Sequence, residues 1–269
     1  MKFFKKIFKL VLLIIFTSNH LISQDFEVKP MKLYFDCSLE NSQTKNIKVK
    51  NFSSDTHTYV ITSGDFNRDS LGKTFFFEKS DFKYSLNPYF SLQKSFFSIQ
   101  PNDSINIPIT LTIPDSIKSS LWSVIYIKSA NEQKVKLTDT VNRANITISP
   151  QIAVKLVYNY PNKDNESLKV NSIKTFFNEK TNSDYTFVEI SNNGNTIFNG
   201  NVNLLFSNIK IPNSEKSFVE KIEIMPNSKR IVKFDLKDRL KKGNYAFSTI
   251  TNNIEGKYVA GKQELIEIK

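Results

Sequence analysis

Ile105, Ile107, Ile109, Leu111 and Ile113 alternate without a break with Asn106, Pro108, Thr110 and Thr112. A period of two, apolar on one side and short polar on the other, fits a strand with one buried face and does not fit a helix. Pro101-Asn102-Asp103-Ser104 stands just before it. Pro presets φ there, and the Asn, Asp and Ser side chains bond their own backbone, so this is a turn. Phe97 and Ile99 alternate on the near side of that turn, which makes a second strand. Beyond Pro114, Trp122, Val124, Ile125, Tyr126 and Ile127 crowd β-branched and aromatic residues into a third strand over Leu121 to Lys128. Three neighbouring strands of this kind are the kernel of a β-sandwich.

The rest of the chain feeds this kernel or repeats it. Phe26 to Phe35 reads as a first strand bent at Pro30, and Ile47 with Val49 marks a strand that runs into Asn51. Thr58 to Ile61 starts another. From Gly64 to Gln93 the pattern loosens, and this stretch is expected to be a long connection with one edge strand. Ile152, Val154, Leu156 and Tyr158 alternate again and close the first unit, and Pro161 to Asn165 reads as a linker. Past it, Tyr185 to Ile190 leads into Ser191-Asn192-Asn193-Gly194, as Ile47 to Val49 leads into Asn51. Ile222 to Ser228 echoes Ser98 to Ser104, with Pro226-Asn227 in the place of Pro101-Asn102. A unit this long is a duplicated domain and not a solenoid repeat. Many short strands, frequent turns and almost no helical period predict an all-β chain of two tandem immunoglobulin-like sandwiches, over residues 25–161 and 162–269.

Residues 1–24 have a different character. Lys2, Lys5, Lys6 and Lys9 precede the apolar run Leu10 to Phe16, and a polar stretch ends at Ser23-Gln24. This is the architecture of a cleaved signal peptide, with an apolar run too short to span a bilayer. The reading implies export to the periplasm or cell surface of a bacterium, with no transmembrane segment in the mature chain. The chain carries a net charge of +11, four of these charges in the leader. The remaining lysines are spread along strand exteriors and turns, which makes a solvated surface and not a nucleic-acid stripe. Cys37 is the only cysteine, so an internal disulfide is impossible and the core must hold the fold.

Catalytic and metal chemistry find little purchase. His20 lies in the leader, which leaves His57 as the mature chain's one histidine. One His and one Cys do not make a His/Cys zinc site. Gly-rich phosphate loops and the usual nucleophile or metalloprotease motifs are absent. Asp65, Asn67 and Asp69 match the first ligand positions of a calcium loop, but Gly72 comes two places late. The expectation is a non-enzyme with no catalytic residue, no metal and no cofactor. Four Asp-Ser/Thr-aliphatic triplets, beginning at Asp69, Asp103, Asp115 and Asp139, resemble an O-glycosylation sequence of secreted Bacteroidetes proteins, and turn chemistry explains the same letters.

The order of leader, sandwich, Tyr-Pro element and second sandwich resembles the periplasmic pilus-chaperone superfamily. Lys155-Leu156-Val157-Tyr158-Asn159-Tyr160-Pro161 is similar to that family's phrase before the interdomain hinge, with one extra residue and no Arg. The Phe97-x-Ile99-x-Pro101-Asn102 turn and the Trp122 strand add to the likeness. The resemblance implies a chaperone that binds an extended segment of a protein client or surface subunit by strand addition. Backbone groups of an exposed edge would supply affinity, and alternating side chains would supply register. Ile152, Val154, Lys155, Leu156 and Tyr158 are the expected client-binding edge. The family holds the client's terminal carboxylate with two basic residues of the first domain. Lys32 is a counterpart for the first, and the sequence offers none for the second. The WxL-interacting cell-surface proteins share the same arrangement more distantly. That likeness implies a module for a cell-envelope polymer or wall, with the aromatics between Gly64 and Gln93 as its contact.

Overall fold

The computed structural model describes residues 25–36, 40–78, 81–130, 133–138, 143–161 and 167–269. The leader, Cys37, the linker residues 162–166 and the Asp139 triplet lie outside them. Among the described residues the regular elements are all strands, apart from one 3-10 turn at Asn87–Tyr89.

The first half holds β1 (Phe26–Lys29), β2 (Lys32–Phe35), β3 (Ser42–Asn51), β4 (His57–Arg68), β5 (Thr74–Glu78), β6 (Phe90–Leu92), β7 (Phe96–Ile99), β8 (Ser104–Thr112), β9 (Leu121–Ser129), β10 (Gln133–Thr138), β11 (Arg143–Ile148) and β12 (Gln151–Tyr158). One sheet has the order β1-β3-β8-β6. The facing sheet has the order β2-β12-β9-β4-β5, with β7 also on β4. The alternation read from the sequence is the inward face of β8: Ile107, Ile109 and Leu111 are buried against Ile47 and Val49 of β3 and Ile125 and Ile127 of β9. Each fully buried side chain of this size stabilises the fold by roughly 1.5–3 kcal/mol. The first strand does bend at Pro30, and the bend moves the chain between sheets. β1 pairs with β3 in one, and β2 pairs with β12 in the other.

The second half holds β13 (Leu168–Asn178), β14 (Ser183–Asn192), β15 (Phe198–Asn208), β16 (Lys216–Ile224), β17 (Ser228–Asp235), β18 (Gly243–Asn253) and β19 (Tyr258–Ile268). Its sheets are β13-β14-β17 and β16-β15-β18-β19, with a separate core around Val188, Val202, Phe234 and Phe247. The fold is therefore all-β, two immunoglobulin-like sandwiches in tandem. The duplication is visible at single residues. Asn102 and Asn227, after the two prolines, both take positive φ, at 60° and 51°. Asn51 Nδ2 donates to the carbonyls of Ile99 and Gln100, and Asn192 Nδ2 donates to that of Ile224. Each strand-ending asparagine ties its strand to the strand before the Pro-Asn turn. Each also takes an N–H two residues on, from Ser53 and from Gly194.

Two expectations change. The stretch after Gly64 is less loose than its letters suggest. β4 continues to Arg68, and both β5 and β6 are edge strands. Asp65 does not sit in a calcium-type loop. It is a fully buried strand residue whose Oδ1 accepts from Ser85, Ser123 and Asn87, while Asp69 Oδ1 caps its own turn through the N–H groups of Leu71 and Lys73. Before β12 the chain is interrupted at Ser149-Pro150. The strand ahead of the break, β11, pairs with β10 as a hairpin beyond the main sheet.

Candidate functional site

The sheet containing β12 turns its outer face toward the second sandwich. Phe66, Trp122, Val124 and Val157 on that face are buried with Ile197 and Met225 of the other half. Trp122 donates from Nε1 to the carbonyl of Phe66 at 2.7 Å and stacks on Tyr84 with ring centres 4.9 Å apart. Polar clamps flank this apolar seam. On one side the N–H of Ile197 donates to Asn159 Oδ1, and the N–H of Ser120 donates to the Asn195 carbonyl. On the other the carbonyl of Ser70 accepts from the N–H of Ile231 at 2.7 Å and from Arg230 Nη1 at 3.1 Å. Gly72, at φ +85°, lies flat against that guanidinium. A Cβ there would push the guanidinium aside, since it would lie 2.4 Å from Arg230 Cζ, and the positive φ itself favours glycine.

Next to the seam, charges converge. β2 runs parallel to β12, and the register places Lys32 beside Lys155. Leu33 and Phe35 point into the core, so Lys32 is left on the outer face. Lys32 Nζ lies 2.6 Å from Glu223 Oε2, which β16 of the second sandwich presents between the buried Ile222 and Ile224. Arg68, the last residue of β4, reaches the same carboxylate, with Nη2 3.1 Å from Oε1. That contact lacks hydrogen-bond alignment. Glu223 Oε1 and Arg68 Nε are both buried without a hydrogen-bond partner. Lys155 Nζ stands 5.0 Å from the ring centre of Phe66 and 5.6 Å from that of Phe76. Burial, then Arg68 and then Lys32 pull the Lys155 ammonium below its usual pKa, against an opposing pull from Glu223. Lys32 and Arg68 thus share one carboxylate with Lys155 close by, so among these four groups positive charge is in excess in a half-buried cleft, where charge interactions are screened less than at the surface.

The expected edge is only partly an edge. Lys155, Leu156 and Tyr158 lie between β9 and β2, and the N–H of Lys155 is bonded to the Met31 carbonyl. This corrects the expectation for those three residues. β2 crosses over at Pro30 and covers them. Along Gln151–Val154 only β9 pairs among the described residues, and Ala153 has the same parity as Lys155. Its N–H and C=O therefore point to the open side. β11 likewise pairs only with β10, so the open edge continues through it. Val154, Leu156 and Tyr158 are buried in the first core and Ile152 packs against it. On the other face, Val157 is covered by the second sandwich. Beside the open stretch lies a groove of about 690 Å³, lined by Phe76, Tyr126, Gln151 and Ala153 among others.

Lys32, expected as a carboxylate anchor, lies on the outer face and is paired with Glu223. Arg68 and Glu223 were not foreseen, and Lys155 was read as an edge residue only. Arg68 carried no usable signal, since it stands where an alternation through Asp65, Phe66 and Asn67 would place an apolar residue. Glu223 carried none. Among the described residues no group of three His, Cys, Asp or Glu is placed to hold a metal, and no helix is long and apolar enough to cross a membrane.

No family model matches the chain, and no curated protein matches it. Among solved structures the chain is similar to the chaperone–tip adhesin complex of CFA/I fimbriae biogenesis, at 13% identity and a TM-score of 0.49, covering 91% of this chain and 100% of that one. It is also similar to the class 5 fimbriae chaperone CfaA, at 15% identity and 0.45, covering 91% and 99%. The Pseudomonas aeruginosa CupB2 chaperone follows at 13% and 0.42, covering 90% and 100%.

Proposed function

We propose that this chain is an exported, non-enzymatic chaperone-type protein that holds the C-terminal strand of a secreted protein client. The observation that carries the reading is the excess of cations at Lys32, Arg68 and Lys155, set where the open edge of β12 meets β2. A free carboxylate is the ligand such a group favours, and Arg68 Nε is an unmet donor for it. The residues that precede the carboxylate would then lie beside Val154 to Gln151 and on along β11. They would bond to outward groups such as those of Ala153. This fixes polarity. The client strand runs parallel to β12 and ends where β2, also parallel, begins. Its alternate side chains on the outer face would lie along the groove lined by Tyr126, Gln151 and Ala153, with Phe76 at its far side. A surface subunit exported with this protein is the client class that the sequence resemblance implies.

The test uses a synthetic peptide of alternating valine and threonine with a free C-terminus, beside its C-terminal amide. The acid is expected to bind at least about tenfold tighter, since one charge-assisted contact is worth roughly 1.5–3 kcal/mol. Lys155→Gln is expected to erase the difference. Equal binding of acid and amide to the native protein sinks the reading.

A second reading rests on β5. Phe75 and Phe76 are 45% and 47% exposed on an edge strand, a surface suited to a cell-envelope polymer. It requires that Phe75→Ser, which leaves the groove residue Phe76 in place, abolish sedimentation with purified cell-envelope material while peptide binding persists. Unchanged sedimentation removes it.

A further inference from the structure

The one acid among the three cations does not belong to the strand-binding sandwich. Glu223 comes from β16 of the second half, 12% exposed at its side chain, and its two oxygens meet Lys32 and Arg68 separately. It stands where a ligand carboxylate would stand, and it stands there imperfectly. Oε2 makes a close contact at 2.6 Å, while Oε1 has charge proximity but no hydrogen bond, and the facing Arg68 Nε has no acceptor. A bridge selected only to hold two domains together would close such a gap, since an unmet buried donor and acceptor each cost stability. The domains do not depend on this bridge, because the Trp122–Met225 seam and the Ser70 and Asn159 clamps already join them.

We infer that Glu223 is a resident substitute for the ligand's carboxylate, which occupies the cation site of the unloaded protein and gives it up on loading. The inference rests on the client reading above. Loading then exchanges one carboxylate for another, so the three cations are never left together in a half-buried cleft without any carboxylate, and the attraction released on loading is only the difference between the two. Binding stays reversible. Because the substitute sits on the other sandwich, its release also loosens one of the links between the two halves. Occupancy of the strand site and freedom of the second sandwich become one equilibrium, and each biases the other by the same factor.

The deciding experiment measures the acid and amide peptides against Glu223→Gln and the native protein, each with its melting curve. The variant is expected to bind the acid peptide at least about fivefold tighter, at the lower end of measured couplings, with the amide unchanged. Its acid binding should also weaken more steeply with salt, because the exposed cations lack their internal partner. A native protein that prefers the acid beside a variant that binds it no better overturns the inference and leaves the client reading standing. Loss of the acid preference in both proteins overturns both. An independent readout avoids the variant altogether. In the native protein with ¹³C-labelled glutamate, the acid peptide should shift the Glu223 carboxyl resonance toward that of a solvated glutamate, and the amide should not. A resonance that stays in place under saturating acid peptide overturns the exchange.

Discussion

Lys155 shows how much one side chain depends on neighbours that are remote in the chain. Phe66 and Phe76 lie under its ammonium, Lys32 is its partner across the ladder, and Arg68 and Glu223 complete its surroundings. Burial first, and the two other cations next, hold its folded pKa below the usual 10.5. The sign follows from linkage. The unfolded chain keeps this proton to higher pH than the folded one. The charged ammonium therefore costs stability below the folded pKa, and that cost fades as pH rises from the folded value to 10.5. Binding of a carboxylate runs the other way, since it needs the proton. Affinity for the acid peptide is expected to fall at a pH below 10.5. In Lys155→Arg, which stays charged, the fall should move to higher pH. An identical pH profile in the variant places the titration elsewhere. None of this was readable locally, where Lys155 is one polar letter in an alternating strand. Its significance comes from residues 68 and more positions away in the chain, Glu223 the nearest of them in sequence.

Among the elements, period-two patterns located most strands, because burial on one face of a pleated strand writes itself directly into the sequence. The inward sets of β8, β9 and β12 were legible for this reason, and so was the bend at Pro30. What lies beside a strand is not written there. Nothing in Gln151 to Tyr158 says that β2 covers its second half and leaves the first half open, because that pairing joins residue 32 to residue 155. The open stretch gives a sharper test than the strand as a whole. Proline at Ala153 removes an N–H that points to the open side, so the protein is expected to fold and to lose the acid peptide. Proline at Lys155 removes the donor to Met31. It is expected to cost roughly 1–3 kcal/mol for the unmet ladder bond and to lower the melting temperature. Circular dichroism and peptide titration of the two variants decide it. If Ala153→Pro folds and still binds, the strand does not add at this edge. Arg68 and Glu223 were illegible for a related reason. Each sits in an unremarkable strand of its own sandwich, and only the packing of the two sandwiches makes them a pair.

At the scale of the whole molecule, two complete cores are joined by a small apolar seam and polar clamps on either side of it. The seam is a place where the halves can be separated without harm to either core. Met225→Glu puts an unpaired charge among Trp122, Val157 and Ile197, a cost of about 3–5 kcal/mol by comparison with other uncompensated buried charges. Calorimetry is expected to show the two sandwiches melting independently, with native strand content at 20 °C. A single cooperative transition in this variant means that the seam is not what couples them. Trp122 is the only tryptophan of the chain, and it is 1% exposed at the centre of that seam. The molecule therefore carries its own optical gauge of the junction. Its indole emission comes from one site, blue while the halves are closed, and should move to the red in proportion to the time they spend apart, in any solution and without a label.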